Sequence, residues 1–141
     1  MLNAEINQSE LAGGQRVPEK EIARLLGIIA KVLREKKDWV ISIAFVDKDA
    51  IWKLNRDYRG KNQPTDVLSF THKEAGVLGE VIICYEVAKD QAEFAGVPVR
   101  EELIRLITHG VLHLFGHDHE KAAEEKIMMA IQEWIIDEYQ K

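Results

Sequence analysis

The chain predicts a single α/β domain of the α+β kind: a small mixed four-stranded sheet packed with about five helices. Apolar residues recur with helical spacing in several long stretches, and short β-rich apolar runs stand between them. No repeat, low-complexity tract or Pro/Gly-rich linker divides the 141 residues, a length that one hydrophobic core can serve. Residues 1–141 therefore read as one domain.

In chain order, "PEKEIARLLGIIAKVLREKK" opens with Pro18 at a first helical position. Ile22, Leu25, Leu26, Ile29, Val32 and Leu33 then follow helical spacing. "WVISIAFVD" is an apolar buried strand ended by Asp47, which can cap the next helix, "KDAIWKLNRDY". "RGKNQPTD" is turn-rich, and "VLSF" and "GEVIICY" read as two further short strands. "EVAKDQAEFAG" is a helix that stops at Gly96. "VPVREELIRLITHGVLHLFG" is the longest apolar helix, with Pro98 near its start and Gly116 just past its end. The chain closes on an amphipathic helix, apolar at Ile127, Met128, Ile131, Trp134 and Ile135. Trp39, Trp52 and Trp134 all fit core faces, and no aromatic platform with basic neighbours is visible.

The totals narrow the function classes. Hydrophobic residues at 46% and charged residues at 30% are ordinary for a soluble globular protein. The single cysteine, Cys84, excludes an intrachain disulfide and suits a reducing compartment; it sits in an apolar run and reads as core. "MLNAEINQSELAGGQR" lacks a basic segment followed by an apolar run, so it is no signal peptide. No apolar stretch approaches the roughly 18 residues of a membrane span. The expected location is the cytoplasm, with no membrane partner. A net charge of −5 argues against an indiscriminate polyanion binder. Local basic clusters can still act, because screening confines each charge to about 8–10 Å.

"THGVLHLFGHDHE" holds four of the five histidines. His109 and His113 are four apart on a helix. Four residues turn the helix about 400° and raise it about 6 Å, so both rings leave from one face and can grip one ion. On a straight helix the Cα of His119 would lie about 15 Å along the axis from that of His109. Gly116 can adopt φ > 0, end the helix and bring His119 round as a third ligand. Three imidazoles suit zinc first, although nickel, cobalt and copper also bind them. Three protein ligands leave a tetrahedral ion one open position, the mark of a catalytic site, where bound water can reach a pKa of about 7.

The spacing His109-x-x-x-His113-x-x-Gly116-x-x-His119 is that of the metzincin proteases. Those enzymes need a glutamate beside the first histidine as general base, and here Gly110 stands there. Peptide hydrolysis by that route is not expected.

"HGVLHLFGHDH", "LNRDYRGKNQPTDVLSF" and "GEVIICYEVA", in this order and spacing, resemble the YbeY family of bacterial endoribonucleases, also called the rRNA maturation factor family. The flanking pattern is compatible over nearly the whole chain. The resemblance implies a zincin-like fold and one zinc ion on His109, His113 and His119. It also implies single-strand-specific RNA cleavage in small-subunit ribosomal RNA 3′-end maturation and ribosome quality control. The implied partners are ribosomal RNA, the small subunit, ribosomal proteins and an assembly GTPase.

Arg59 in "YRGK" matches the family's arginine, and its guanidinium can hold a phosphate bidentately. Arg59 and His113 are therefore the expected catalytic residues. Arg56, Lys61 and Lys73 can add local positive potential. Asp118 can cap the last helix or orient a ligand histidine. His117 stands where relatives often carry tyrosine, and is not expected to be an invariant ligand. The segment from Thr71 to Gly79 is shorter than in many relatives, which leaves any RNA contact by His72 open. Glu80 replaces a common aspartate without an evident reason. Two other readings stay open: a ribosome-assembly factor with a mainly structural zinc, and a zinc hydrolase of another substrate.

Overall fold

The computed structural model describes residues 1–116 and 122–141. The chain runs β1 (Leu2–Asn7), α1 (Glu19–Leu33), β2 (Trp39–Val46), α2 (Lys48–Arg59), β3 (Val67–Glu74), β4 (Val77–Cys84), α3 (Tyr85–Ala95), α4 (Val99–Leu114) and α5 (Ala122–Gln140). A single turn of 3-10 helix at Gly13–Gln15 precedes α1. The four strands form one mixed sheet in the order β1-β2-β4-β3. β1 and β4 pair parallel to β2, while β3 pairs antiparallel to β4 and forms an edge. The described residues therefore fold into the expected α+β domain, with four strands and five α-helices among them.

Local chemistry accounts for most boundaries. Asp47 caps α2 by accepting the Ala50 N–H at 2.8 Å. Gly60 and Gly96 end α2 and α3 with φ of 69° and 70°, the left-handed turn that glycine adopts without a Cβ clash. Gly116, at φ 86°, follows the last residues of α4 as expected. Pro18 lies one residue before α1 rather than inside it.

β1 has no counterpart in the element-by-element reading. In "LNAEIN" only Leu2 is buried, and Asn, Ala and Glu carry weak strand propensity; parallel pairing with β2 makes the strand.

One face of the sheet carries α1, α4 and α5 over a large core that includes Ile22, Leu26, Ile43, Ile83 and Ile107. A smaller cluster around Ile51, Leu68 and Cys84 packs with Leu54 of α2 and Val87 of α3. Cys84 is buried, as expected, and burial pushes its thiol above the ordinary range. α4 buries Leu103, Ile104, Leu106, Ile107, Val111, Leu112 and Leu114, each worth roughly 1.5–3 kcal/mol. Past its first turn, only Arg105, His109 and His113 are half-open, one stripe at i, i+4 and i+8.

Two tryptophans correct the sequence reading. Trp52 is 42% exposed, because its indole N–H reaches out to Asn62 Oδ1 at 2.8 Å and holds the loop after α2. Trp134 is 56% exposed and Ile127 57%, because α5 turns Met128, Gln132 and Ile135 inward instead. Among the described residues, no helix is long and apolar enough to cross a membrane.

Candidate active site

His109 and His113 leave the half-open stripe of α4 together, as the four-residue spacing requires. Their rings meet edge to face with centroids 4.6 Å apart, and their Nε2 atoms stand 3.1 Å from each other. Two nitrogens each about 2.0–2.1 Å from one tetrahedral ion stand about 3.3–3.4 Å apart. The pair thus needs to open by only a few tenths of an ångström to hold one.

The ring of His109 is set from behind. Gln132 of α5 is fully buried, and its Oε1 accepts from His109 Nδ1 at 2.9 Å. An amide oxygen can only accept, so in neutral His109 the proton sits on Nδ1 and the lone pair on Nε2, the atom facing His113. Ligand histidines are commonly oriented through the other ring nitrogen in this way. The Gln132 Nε2 finds no acceptor among the described residues.

Gly110 beside His109 shows why α4 lies where it does. A Cβ there would stand 2.6 Å from Val81 Cγ1 and 3.2 Å from Ser69 Oγ. The position faces the sheet and holds no side chain at all, so the glutamate of a peptidase has no room. That agrees with the expectation drawn from its sequence. The close approach lets Ser69 Oγ donate to the Gly110 carbonyl at 3.0 Å.

Ser69 also brings in Arg59. The last residue of α2 crosses the free edge of β3, and its guanidinium donates to the Ser69 carbonyl and stacks 5.0 Å from the Phe70 ring. Phe70 in turn meets Tyr58 edge to face at 5.6 Å. A guanidinium has five N–H donors, so others are available to a ligand. The chain of contacts Arg59–Ser69–Gly110 ties α2, β3 and α4 together one residue from His109.

These groups share one open groove of about 660 Å³, lined by Arg59, Lys61, Ser69, Thr71, His109 and His113 among others. The loop after α2 forms one wall. It is held by Asn55, whose Nδ2 donates to the Gln63 carbonyl at 2.8 Å, and by the Trp52–Asn62 bond. Arg56 turns to Asp57 at 2.9 Å and does not line the groove, whereas Lys61 does. Lys73 lies outside it, in a separate pocket.

Comparison with known proteins decides the family. A model described as endoribonuclease YbeY matches residues 3–140. The chain belongs to the YbeY family. The YbeY endoribonuclease of a Sulfurihydrogenibium strain is 44% identical to it over 133 residues, spanning 87% of this chain and 88% of that one. That of Staphylococcus carnosus is 42% identical over 130 residues, spanning 85% of each. The solution structure of a Thermotoga maritima protein superposes with a TM-score of 0.65 at 29% identity, covering 99% of this chain and 89% of that one.

Of the YbeY residues expected from sequence, Arg59, His109 and His113 come together. His119, His117 and Asp118 lie outside the described residues. Among the described residues, no group of three His, Cys, Asp or Glu side chains converges on one point. His72 pairs across the strands with Glu80 at 3.1 Å, which gives the glutamate at that position a partner.

Sequence reasoning passed over Gln132, Ser69 and Asn55. Gln132 and Asn55 each had a signal: a polar residue on an otherwise apolar helical stripe, Asn55 after Ile51 and Gln132 between Met128 and Ile135. Ser69 had none, because its role depends on how close α4 comes.

Proposed function

We propose that this protein is a metal-dependent endoribonuclease that cuts single-stranded RNA in the groove between the loop after α2 and the His109–His113 stripe. The observation that carries this reading is the convergence of the two Nε2 atoms in the same groove as Arg59. Family membership supplies the substrate class, since the named relatives are endoribonucleases.

In this reading His109, His113 and His119 hold one zinc ion. Bound there, the ion supplies Lewis-acid polarisation of a phosphoryl oxygen and acidifies water. The chain's own residues do the rest. Gln132 holds the proton of neutral His109 on Nδ1 and leaves the Nε2 lone pair facing His113. Arg59 binds a phosphate through two N–H donors and counters the charge that builds on it during cleavage. Lys61 adds positive potential at the mouth. The stack on Phe70 and the bond to Ser69 fix the guanidinium before substrate arrives, so little ordering is left to binding. The cellular role we assign to it, by resemblance to the family, is maturation of the 3′ end of 16S ribosomal RNA and ribosome quality control in the cytoplasm. Its partners there are the small subunit, ribosomal proteins and an assembly GTPase.

The test separates this enzyme from a ribosome-assembly factor with a structural zinc. Arg59→Ala is expected to keep its fold and metal, bind small subunits, and lose about 10²–10³ in kcat on single-stranded RNA. Loss of ribosome association, with no cleavage by either protein, would overturn the nuclease reading.

A further inference from the structure

A second pocket, about 400 Å³, opens beyond the C-terminal end of α4 and is lined by Glu35, Lys37, Trp39, Lys73, Leu78 and Phe115. Its volume falls within the range of small-ligand sites, roughly 300–1,000 Å³. We propose that it is a nucleotide subsite that stacks a base and holds a phosphate of the same RNA strand that occupies the groove. This rests on the nuclease reading above.

Residues close in the chain line the two spaces at two places. Gly116 lines the groove and Phe115 the pocket; Thr71 lines the groove and Lys73 the pocket. Two residues of strand span about 7 Å, so a strand leaving the histidines reaches Lys73 without a long detour.

The side chains suit a nucleotide. Trp39 and Phe115 are half-buried rings that present aromatic surface to the pocket. The Lys37 ammonium stands 6.0 Å from the Trp39 centroid, the outer limit of a cation–π contact, which a base can displace. Lys37 and Lys73 outnumber Glu35, whose Oε1 already accepts the Lys37 backbone N–H at 3.0 Å. The pocket therefore carries positive charge on a chain whose total is −5. An aromatic face beside cations is the recurring chemistry of sequence-tolerant single-strand binding.

The backbone is bent to make this surface. β3 and β4 pair at Thr71↔Gly79 and again at Glu74↔Val77, so His72 and Lys73 both stand opposite Leu78. On its other side β4 skips the same residue, pairing Val40↔Val77 and then Ile41↔Gly79. Such bulges re-aim side chains. Lys73 sits at φ 50°, a left-handed conformation that a lysine adopts only under constraint. A glycine would hold that backbone more easily, but it would leave the pocket without its second cation.

The experiment compares a single-stranded RNA just long enough for the groove with one several nucleotides longer. The proteins are the zinc-loaded wild type, Trp39→Leu, Lys37→Glu and Lys73→Gly. Lys73→Gly relieves the backbone strain, so its Tm is expected to stay level or rise, which separates lost binding from lost folding. For the longer RNA, Trp39→Leu is expected to raise KM by roughly 5- to 150-fold, the range for one stacked base, with kcat unchanged. The lysine variants are expected to raise it less and to flatten its salt dependence. All three are expected to match wild type on the shorter RNA. Variants indistinguishable from wild type on the longer RNA, while wild type cleaves it, would overturn the subsite alone. A zinc-loaded wild type that neither binds nor cleaves either RNA would overturn the subsite together with the nuclease reading.

Discussion

A buried glutamine facing a histidine is an unusual use of core space, and Gln132 earns it by fixing which nitrogen of His109 carries the proton. Gln132→Leu keeps the volume and removes the acceptor. We expect it to weaken zinc binding by about 10- to 100-fold, measured by competition with a chromogenic chelator, while the fold survives. Zinc affinity equal to wild type would show that the His109 ring is oriented by something else. Arg59 obeys a different logic. Arg59→Lys retains the charge but not the planar fork, so we expect it to recover only part of the activity that Arg59→Ala loses.

At the scale of elements, the closeness of α4 to the sheet sets the site. Gly110→Ala would gain about 1 kcal/mol of intrinsic helix propensity. The added Cβ meets Val81 at 2.6 Å, and overpacking of that kind costs about 1–3 kcal/mol. We expect the overpacking to win, so the variant should lose stability in urea and also lose activity as the Ser69–Gly110 bond opens. α5, which carries Gln132, is itself clamped to α1: the Tyr139 hydroxyl donates to Glu21 at 2.7 Å, and Arg24 lies 4.0 Å over the Tyr139 ring and donates to its carbonyl. The Tyr139 hydroxyl, then Arg24, holds the Glu21 carboxyl below its ordinary 4.5. A lowered carboxyl contributes stability that is complete above pH 4.5 and fades as pH falls through the folded-state value. Tyr139→Phe should therefore lower Tm at neutral pH and by less as the pH drops below that window. A Tm difference that grew on acidification would contradict the clamp. These elements also mark what sequence could show. The four-residue histidine spacing, the Asp47 cap and the glycines at the ends of α3 and α4 are local signals, and each was legible. β1, the outward turn of Trp134 and the role of Ser69 depend on neighbours distant in the chain, so nothing local announced them.

Across the whole molecule, an acidic chain places cations at two openings, Arg59 and Lys61 at one and Lys37 and Lys73 at the other. That distribution reconciles the −5 total with a polyanionic substrate, since screening confines each charge to about 8–10 Å and lets the local charge dominate within that range. The central claim is that a metal held by the α4 histidines drives RNA cleavage. It is tested most directly by elemental analysis of the purified protein, paired with cleavage of a labelled single-stranded RNA before chelation, after it, and after zinc is restored. The expected result is about one zinc per chain, cleavage that stops on chelation and returns with zinc, and a His113→Ala variant that neither binds metal nor cuts. Cleavage that persists in the stripped protein, or stoichiometric zinc with no cleavage of any RNA, would contradict it.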